Sequence, residues 1–117
     1  MQLNEISSEH ETHEPAPYGY YKIRPSQGDG WRIDTNYGYI DYRHDDYENV
    51  NEVWWVESRQ RGGGSKLVDL MMKHHPAEAV SWGVTSDAGE RLMNKWHRDN
   101  PDIEMIHEPH EGQFDPF

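Results

Sequence analysis

The residues best suited to chemistry in this sequence form a glycine corner, Gly62-Gly63-Gly64, that follows two arginines, Arg59 and Arg61. The corner lies where a predicted strand turns into a predicted helix. Glycines let the backbone approach a ligand closely, and the first turn of a helix offers free N–H groups and a positive dipole end. The pattern therefore predicts a phosphate site, with formal charge added by the arginines. A tight connection that binds nothing is the alternative interpretation.

Two common phosphate-binding motifs do not fit this corner. A P-loop requires Gly-Lys followed by Ser or Thr, and no such pair follows at the required spacing. A dinucleotide fingerprint requires a third glycine at the position where Leu67 stands. The phosphate is therefore expected to belong to another class of ligand.

The strands before the corner are predicted from turn residues and from β-favouring side chains. They form an antiparallel meander over Tyr18 to Ile23, Trp31 to Asp34 and Tyr37 to Tyr42. The apolar run Asn51 to Glu57 then predicts a central strand buried on both faces. The core is expected to contain Trp54, Trp55, Trp82 and Trp96.

The corner is predicted to begin a strand-helix-strand unit, because the period of the apolar residues changes on either side of it. The elements that follow are a helix from Ser65 to His75, a strand from Ala79 to Thr85, a second helix capped by Ser86 or Asp87 and ended by Asn100-Pro101, and an edge strand from Ile103 to Ile106. Asp87 and Glu90 have the spacing of a capping box. Together the elements predict a mixed, mostly antiparallel α/β (α+β) fold.

Composition restricts the function classes. The absence of cysteine excludes disulfides, thiolate metal ligands and thiol nucleophiles. The formal charge of −11, from 22 acidic against 11 basic residues, argues against nucleic-acid binding, which depends on Lys and Arg. It favours a cationic partner, such as an amine or a basic protein, or serves solubility alone.

The chain of 117 residues has room for one domain. Residues 1–16 predict a flexible acidic arm with a short extended piece around Leu3 to Ile6, residues 17–106 the domain, and residues 107–117 a polar tail. No apolar stretch is long enough for a membrane span, and no signal peptide is evident. We therefore expect a cytoplasmic protein without membrane contact.

The corner and its flanks resemble a known family signature. Val56, Arg59, Gly62, Gly64 and Leu67 resemble the R/Q-x-x-G-x-G/A pattern of the GNAT acyltransferase superfamily, with a buried strand before it and an amphipathic helix after it. The likeness runs from about Tyr18 to Ile106 and is similar to that of very small phage or bacterial members. It implies a GNAT-like sheet and acetyl-coenzyme A as the cofactor.

The resemblance implies a particular set of ligand contacts. In the family, the central strand and the next strand splay apart, and the pantetheine arm pairs with the exposed backbone as an added strand would. Pantetheine would meet backbone groups of Val56 and Ser58. The pyrophosphate would meet the corner residues Arg59, Arg61, Gly62, Gly63, Gly64 and Ser65.

Two departures from the family pattern bear on activity. The usual pair of early helices, which helps to shape the acceptor site, is replaced here by a turn containing Gly28. Acceptor binding would then use Tyr20, Tyr21, Trp31, the chain ends or a second subunit. The tyrosine that protonates the leaving thiolate in many members is also absent, because Met93 and its neighbours occupy that region.

The resemblance implies an N-acetyltransferase that transfers acetyl to an amine or a protein lysine. The amine attacks the thioester directly while a base removes its proton. Glu52 and Glu57 are the candidate bases. Ser86 is a candidate proton donor to the thiolate, although a helix-capping role is the favoured explanation for this serine. The two departures motivate an alternative function, a catalytically inactive GNAT-like binding protein or a phage virion-associated structural protein. The protein would then lie in the host cytoplasm or virion, as a homo-oligomer or in a virion assembly.

The eight histidines do not predict a metal site. Two of the close pairs, His10 with His13 and His107 with His110, lie in or beside the predicted arm and tail. The third pair, His74 with His75, is adjacent on a helix, where neighbouring side chains point apart. Histidines at a helix end, where positive charge is mildly favourable, are the simpler explanation.

Overall fold

The computed structural model describes residues 10–13, 19–26, 28–83 and 86–107. Within these ranges one sheet contains the strands β1 (His10–His13), β2 (Tyr20–Pro25), β3 (Trp31–Thr35), β4 (Gly38–Asp45), β5 (Val50–Ser58), β6 (Ala79–Trp82) and β7 (Glu104–His107). The described residues also form two helices, α1 (Gly63–His74) and α2 (Asp87–Asp99). The predicted extended piece around Leu3 to Ile6 lies outside the described residues, and β1 falls inside the stretch predicted as an arm.

The strands lie in the sheet in the same order as in the chain, from β1 to β7. Each pair from β1 to β5 is antiparallel, whereas β5 with β6 and β6 with β7 are parallel. Each parallel pair is joined by a helix, as parallel strands require. The fold is therefore a mixed α+β fold with a mostly antiparallel sheet, as the sequence predicted.

The core lies between one face of the sheet and the helices. The row of paired residues Ile23, Ile33, Ile40 and Val56 crosses this face, and Tyr21, Tyr42 and Val53 extend it. From α1 the core receives Leu67, Val68, Leu70 and Met71, and from α2 it receives Met93 and Trp96. The indole N–H of Trp96 donates to Asp69 Oδ1 on α1 at 2.9 Å, which joins the two helices.

Both helices pack on the same face of the sheet. Successive right-handed crossovers that advance in one direction place their helices on one side. Trp82, which is paired with the core residue Val53, donates its indole N–H to His97 of α2 at 2.9 Å. Among the described residues no helix covers the opposite face, which we call the open face.

The prediction that β5 is buried on both faces is wrong, because among the described residues no helix covers the open face, and a bulge in the strand turns two successive tryptophans to that face. Asp41 pairs with Trp55, but the next residue, Tyr42, pairs with Val53, so Trp54 is an extra residue with no partner on β4. The extra residue lets Val53 and Val56 both face the core. Trp54 and Trp55 are then 39% and 58% exposed, respectively, and are not in the core, whereas Trp82 and Trp96 are buried as expected.

Candidate functional site

The corner between β5 and α1 leaves backbone donors without partners. Gly62 precedes the helix with a φ of 79°, in the left-handed region that favours glycine, and no side chain caps the helix. Gly63 N–H donates to the Gln60 carbonyl at 3.0 Å. The amides of Gly64 and Ser65 have no acceptor in the part of the chain that the structure describes. They belong to the first helical turn, whose N–H groups have no intrahelical partner.

The glycines of the corner have different structural reasons. A Cβ on Gly62 would stand in open space, so the left-handed backbone, and not close packing, favours glycine at this position. A Cβ on Gly63 would press on Ser58 Oγ and lie 3.2 Å from the Tyr37 ring, and one on Gly64 would lie 3.1 Å from Leu92 of α2. Close packing inside the protein therefore accounts for Gly63 and Gly64, in agreement with the tight-connection alternative.

The charges around the corner favour an anion. The first turn of α1 contains no acidic residue, although acids there would stabilise a helix. Arg59, Arg61 and Lys66 lie at or next to this turn. Arg59 has only a loose contact, 3.9 Å, with Glu57. Cations beside the positive end of a helix dipole are unfavourable unless an anion offsets them.

Over its second half, the strand that leads into the corner has no partner on one side among the described residues. Val84 and Thr85, the end of the predicted strand Ala79 to Thr85, lie outside those residues. Pairing between β5 and β6 runs from Val50 with Ala79 to Val53 with Trp82 and then stops. β5 continues through Ser58, and over this length the described residues provide a partner only in β4. We call the segment from Trp54 to Ser58 the unpaired half of β5. Backbone groups of this kind can pair with an extended ligand.

The binding residues predicted from sequence lie along one continuous path. Val56 and Ser58 are in the unpaired half of β5, and the corner follows directly. Val56 packs against the core, so that only its backbone is free for a ligand. Ser58 Oγ donates to the Gln60 carbonyl at 2.7 Å and accepts from the Gln60 N–H at 3.4 Å, which fixes the bend.

The two candidate bases lie on the open face. Glu52, in the paired half of β5, accepts a hydrogen bond from Arg43 Nη1 at 3.3 Å. Glu57 pairs with Tyr39 across β4 and is about half exposed, with Arg59 as its loose partner. The bulge places both carboxylates on the same face as Trp54 and Trp55. Glu57 therefore borders the gap in the sheet and Glu52 lies two residues before it, both away from the helix-covered core.

Ser86 has a structural role in the fold. Its hydroxyl oxygen accepts a hydrogen bond from Gly89 N–H at 3.0 Å and so caps α2. Because the helix begins at Asp87, the residue in the third helical position is Gly89. The predicted capping box between Asp87 and Glu90 is therefore not formed.

Sequence reasoning missed two features of this region. Tyr37, assigned only as the start of a strand, packs its ring beside Gly63, and its carbonyl accepts the Arg59 N–H at 2.7 Å. The exposed pair Trp54 and Trp55 was assigned to the core. A signal for the second feature was present, because valines three residues apart, Val53 and Val56, can both face a core only if the strand contains an extra residue.

The far end of α1 holds a second cluster of titratable groups. Tyr21 hydroxyl and His74 Nε2 are 2.7 Å apart, as are Tyr42 hydroxyl and His75 Nδ1. Burial lowers the pKa of His75, with further lowering from the neighbouring His44 and His74. His75 was predicted to carry positive charge at the helix end. Its lowered pKa favours the neutral form, which is bound to the Tyr42 hydroxyl. Among the described residues no three His, Asp or Glu side chains are placed to hold a metal ion.

No family model, no curated protein and no solved structure matches this chain. Neither of the described helices is long and apolar enough to cross a membrane.

Proposed function

We propose that the chain binds acetyl-coenzyme A along the unpaired half of β5 and at the glycine corner, and that it transfers the acetyl group to an amine as a GNAT-type N-acetyltransferase. One observation carries the proposal: within the described residues, a strand edge without a partner leads directly to a helix end whose amides have no acceptor. A ligand with a diphosphate at one end of an amide-containing arm matches both features.

The residues of the path have separate tasks in this proposal. The amides of Gly64 and Ser65, with the side chains of Arg59 and Arg61, would hold the pyrophosphate. Backbone groups around Val56 and Ser58 would pair with the pantetheine arm. The thioester supplies an activated acetyl group for direct attack by the amine.

The side chains near the gap in the sheet suggest how protons would move during the transfer. Glu52 and Glu57 are the carboxylates available to take a proton from the acceptor's ammonium, which frees the amine lone pair for attack on the thioester. Met93 is buried in the core and Ser86 caps α2, so the leaving thiolate would take its proton from water.

A second candidate function is a GNAT-like protein without turnover, which binds a partner or forms part of a virion. It is favoured by the internal packing that already explains Gly63 and Gly64 and by the lack of a tyrosine donor on α2. A fold alone does not guarantee an activity. This candidate predicts no response to acetyl-coenzyme A.

Calorimetric titration with acetyl-coenzyme A tests the binding step. Gly62→Asp should abolish binding, because a carboxylate beside the open amides repels the phosphates. Gly19→Asp is the matched control, since Gly19 has a similar φ of 68° and also has open space around its Cβ position. Equal affinity of the two folded variants would contradict the site. No binding by the unaltered protein would favour the structural candidate.

Thiol release with candidate amines tests the transfer step. Glu52→Gln should lower turnover by about tenfold to a thousandfold while leaving cofactor affinity unchanged, if Glu52 is the base. Glu57→Gln is the paired comparison. A Glu52→Gln variant with the pH profile of the unaltered protein would discard Glu52 as the base.

A further inference from the structure

Four side chains of β5 form a strip on the open face. The bulge at Trp54 turns Glu52, Trp54, Trp55 and Glu57 to this side, while the two valines between them face the core. The strip therefore has two neighbouring indoles with a carboxylate at each end. We call it the acid–tryptophan strip.

The two indoles of the strip differ in how they are packed. The Trp54 ring lies against Gly30, where a Cβ would be only 2.6 Å from the ring, so the lack of a side chain on this glycine makes room for the indole. Trp55, 58% exposed, belongs to the unpaired half of β5. The strip thus offers one fixed ring and one accessible ring beside the proposed cofactor path.

The open face already binds cations by the same chemistry. The guanidinium carbon of Arg32 lies 4.1 Å from the centroid of the Tyr39 ring, which is a cation–π contact. Its charge is also neutralised by Asp41, whose oxygens accept from Arg32 Nε and Nη2 at 2.7 and 2.8 Å. A cation held between an aromatic ring and a carboxylate is therefore an arrangement that this sheet stabilises.

The strip has capacity for one more cation. Arg24 is paired with Asp34 at 3.0 Å, and Arg43 is paired with Glu52 at 3.3 Å. Glu57 has only the contact of 3.9 Å with Arg59. A side-chain ammonium placed over Trp55 would reach the Glu57 carboxylate, which lies two residues further along the strand. The formal charge of −11 would increase the association rate of such a partner.

We propose that the acid–tryptophan strip is a docking surface for a basic polypeptide and that it holds the side chain of one of that polypeptide's lysines between Trp55 and Glu57. The shape of the surface selects a polypeptide over a small amine, because small-molecule sites are concave and bury about 70–90% of their ligand. An open sheet face contacts a ligand on one side only. The inference rests on the proposed function in that the docked lysine would be the acetyl acceptor.

Fluorescence titration without acetyl-coenzyme A tests this surface, with a capped peptide of alternating lysine and glycine as the probe. Trp55→Ala and Glu57→Gln should each weaken peptide binding by about tenfold, since each removes one of the two groups that hold the ammonium. Tyr47→Ala and Glu48→Gln are the matched controls, because Tyr47 is 90% exposed and both residues lie in the turn between β4 and β5. These controls should bind as the unaltered protein does.

Three results would overturn the docking surface. The first is equal weakening by Glu57→Gln and Glu48→Gln, which would indicate nonspecific attraction to net charge. The second is unchanged affinity for a probe in which every lysine is acetylated. The third is binding of free spermidine as tight as that of the peptide, which would indicate a small-amine site.

The same titration separates this inference from the proposed function. Specific peptide binding by a protein with no affinity for acetyl-coenzyme A would keep the docking surface and remove the acetyltransferase. Cofactor binding without specific peptide binding would keep the proposed cofactor site and remove the docking surface.

Discussion

The two ends of α1 are built in opposite ways. At the C-terminal end, His74 and His75 are bound to tyrosine hydroxyls of the sheet, and the buried Asn51 donates to the His75 carbonyl at 2.7 Å. At the N-terminal end, the amides of Gly64 and Ser65 have no acceptor within the described chain. Side chains thus attach the C-terminal end of the helix to the sheet. The amides at the N-terminal end are available for a ligand.

The N-terminus of α2 sharpens this comparison. It has a serine cap that accepts from Gly89 and two acids, Asp87 and Glu90, in its first turn. These are the features that stabilise a helix start without a ligand. α1 has neither feature. The sequence therefore caps α2 with its own side chains but leaves α1, at the proposed pyrophosphate site, without such a cap.

We call the C-terminal end of α1 the closed end and its N-terminal end the open end. The largest expected effect on stability is at the closed end. Asn51 is fully buried, and its amide contacts His44 Nδ1 at 2.8 Å, the His75 carbonyl at 2.7 Å and Met72 Sδ at 3.3 Å. Asn51→Ala should lower the free energy of unfolding by about 2–4 kcal/mol, because it leaves buried polar groups unpaired. Urea unfolding measures this, with the exposed Asn94→Ala as the control. An unchanged midpoint would contradict the anchoring role of Asn51.

A smaller effect is expected at the open end, and it should differ between neighbouring glycines. Gly63→Ala should lower the free energy of unfolding by about 1–3 kcal/mol, because the new methyl group meets Ser58 and the Tyr37 ring. Gly64→Ala should change it by less than about 1 kcal/mol, since alanine favours the helix and Leu92 can rotate away. Thermal unfolding of the two variants compares them. The reverse order would show that the corner is packed differently.

The pH dependence of stability should report the closed end and α2. Burial lowers the pKa of His75 and of His97 from the ordinary 6.5, so the folded state holds both neutral. Because the unfolded chain binds these protons first, stability should be complete above pH 6.5 and fall as the pH decreases toward the lowered values. The slope is at most about 1.4 kcal/mol per pH unit for each group.

His75→Gln separates the contribution of the closed end from that of α2. The variant should lose the part of the slope that His75 contributes, while the contribution of His97 stays. Urea unfolding between about pH 7.5 and about pH 5 measures both proteins. A slope identical to that of the unaltered protein would show that His75 does not contribute.

The smallest expected effect concerns the contact between the helices. Burial raises the pKa of Asp69 above its ordinary 3.8, so the carboxylate charge costs more free energy in the folded state than in the unfolded chain. Asp69→Asn keeps an oxygen that can accept from the Trp96 indole, and it should raise stability by less than about 1 kcal/mol. Thermal unfolding at pH 7 measures this. Destabilisation would mean that the carboxylate charge strengthens the hydrogen bond by more than burial costs.

Much of the fold could be predicted from the sequence because its signals are local. Turn residues separate β2, β3 and β4, and the change from strand to helix periodicity at the glycines locates α1. The predicted boundaries of α2 and β7 are within one residue of the observed ones. These elements depend on short-range patterns, which a single sequence contains.

The remaining features depend on neighbours that a sequence does not show. The burial of β5 was mispredicted because a bulge, set by its pairing with β4, reorients Trp54 and Trp55. The role of His75 was missed because its partners, Tyr42 and Asn51, come from two strands distant in the chain. The packing reasons for Gly63 and Gly64 likewise depend on Tyr37 and Leu92.

The sequential strand order has a consequence for how this protein folds. Each strand of the described sheet from β2 to β7 pairs with the strand that precedes it in the chain, and the widest separations are those bridged by α1 and α2. No segment has to wait for a distant one before it can pair, so loop-closure entropy stays small at each step. A nascent chain could thus add strands one at a time, in the order of synthesis.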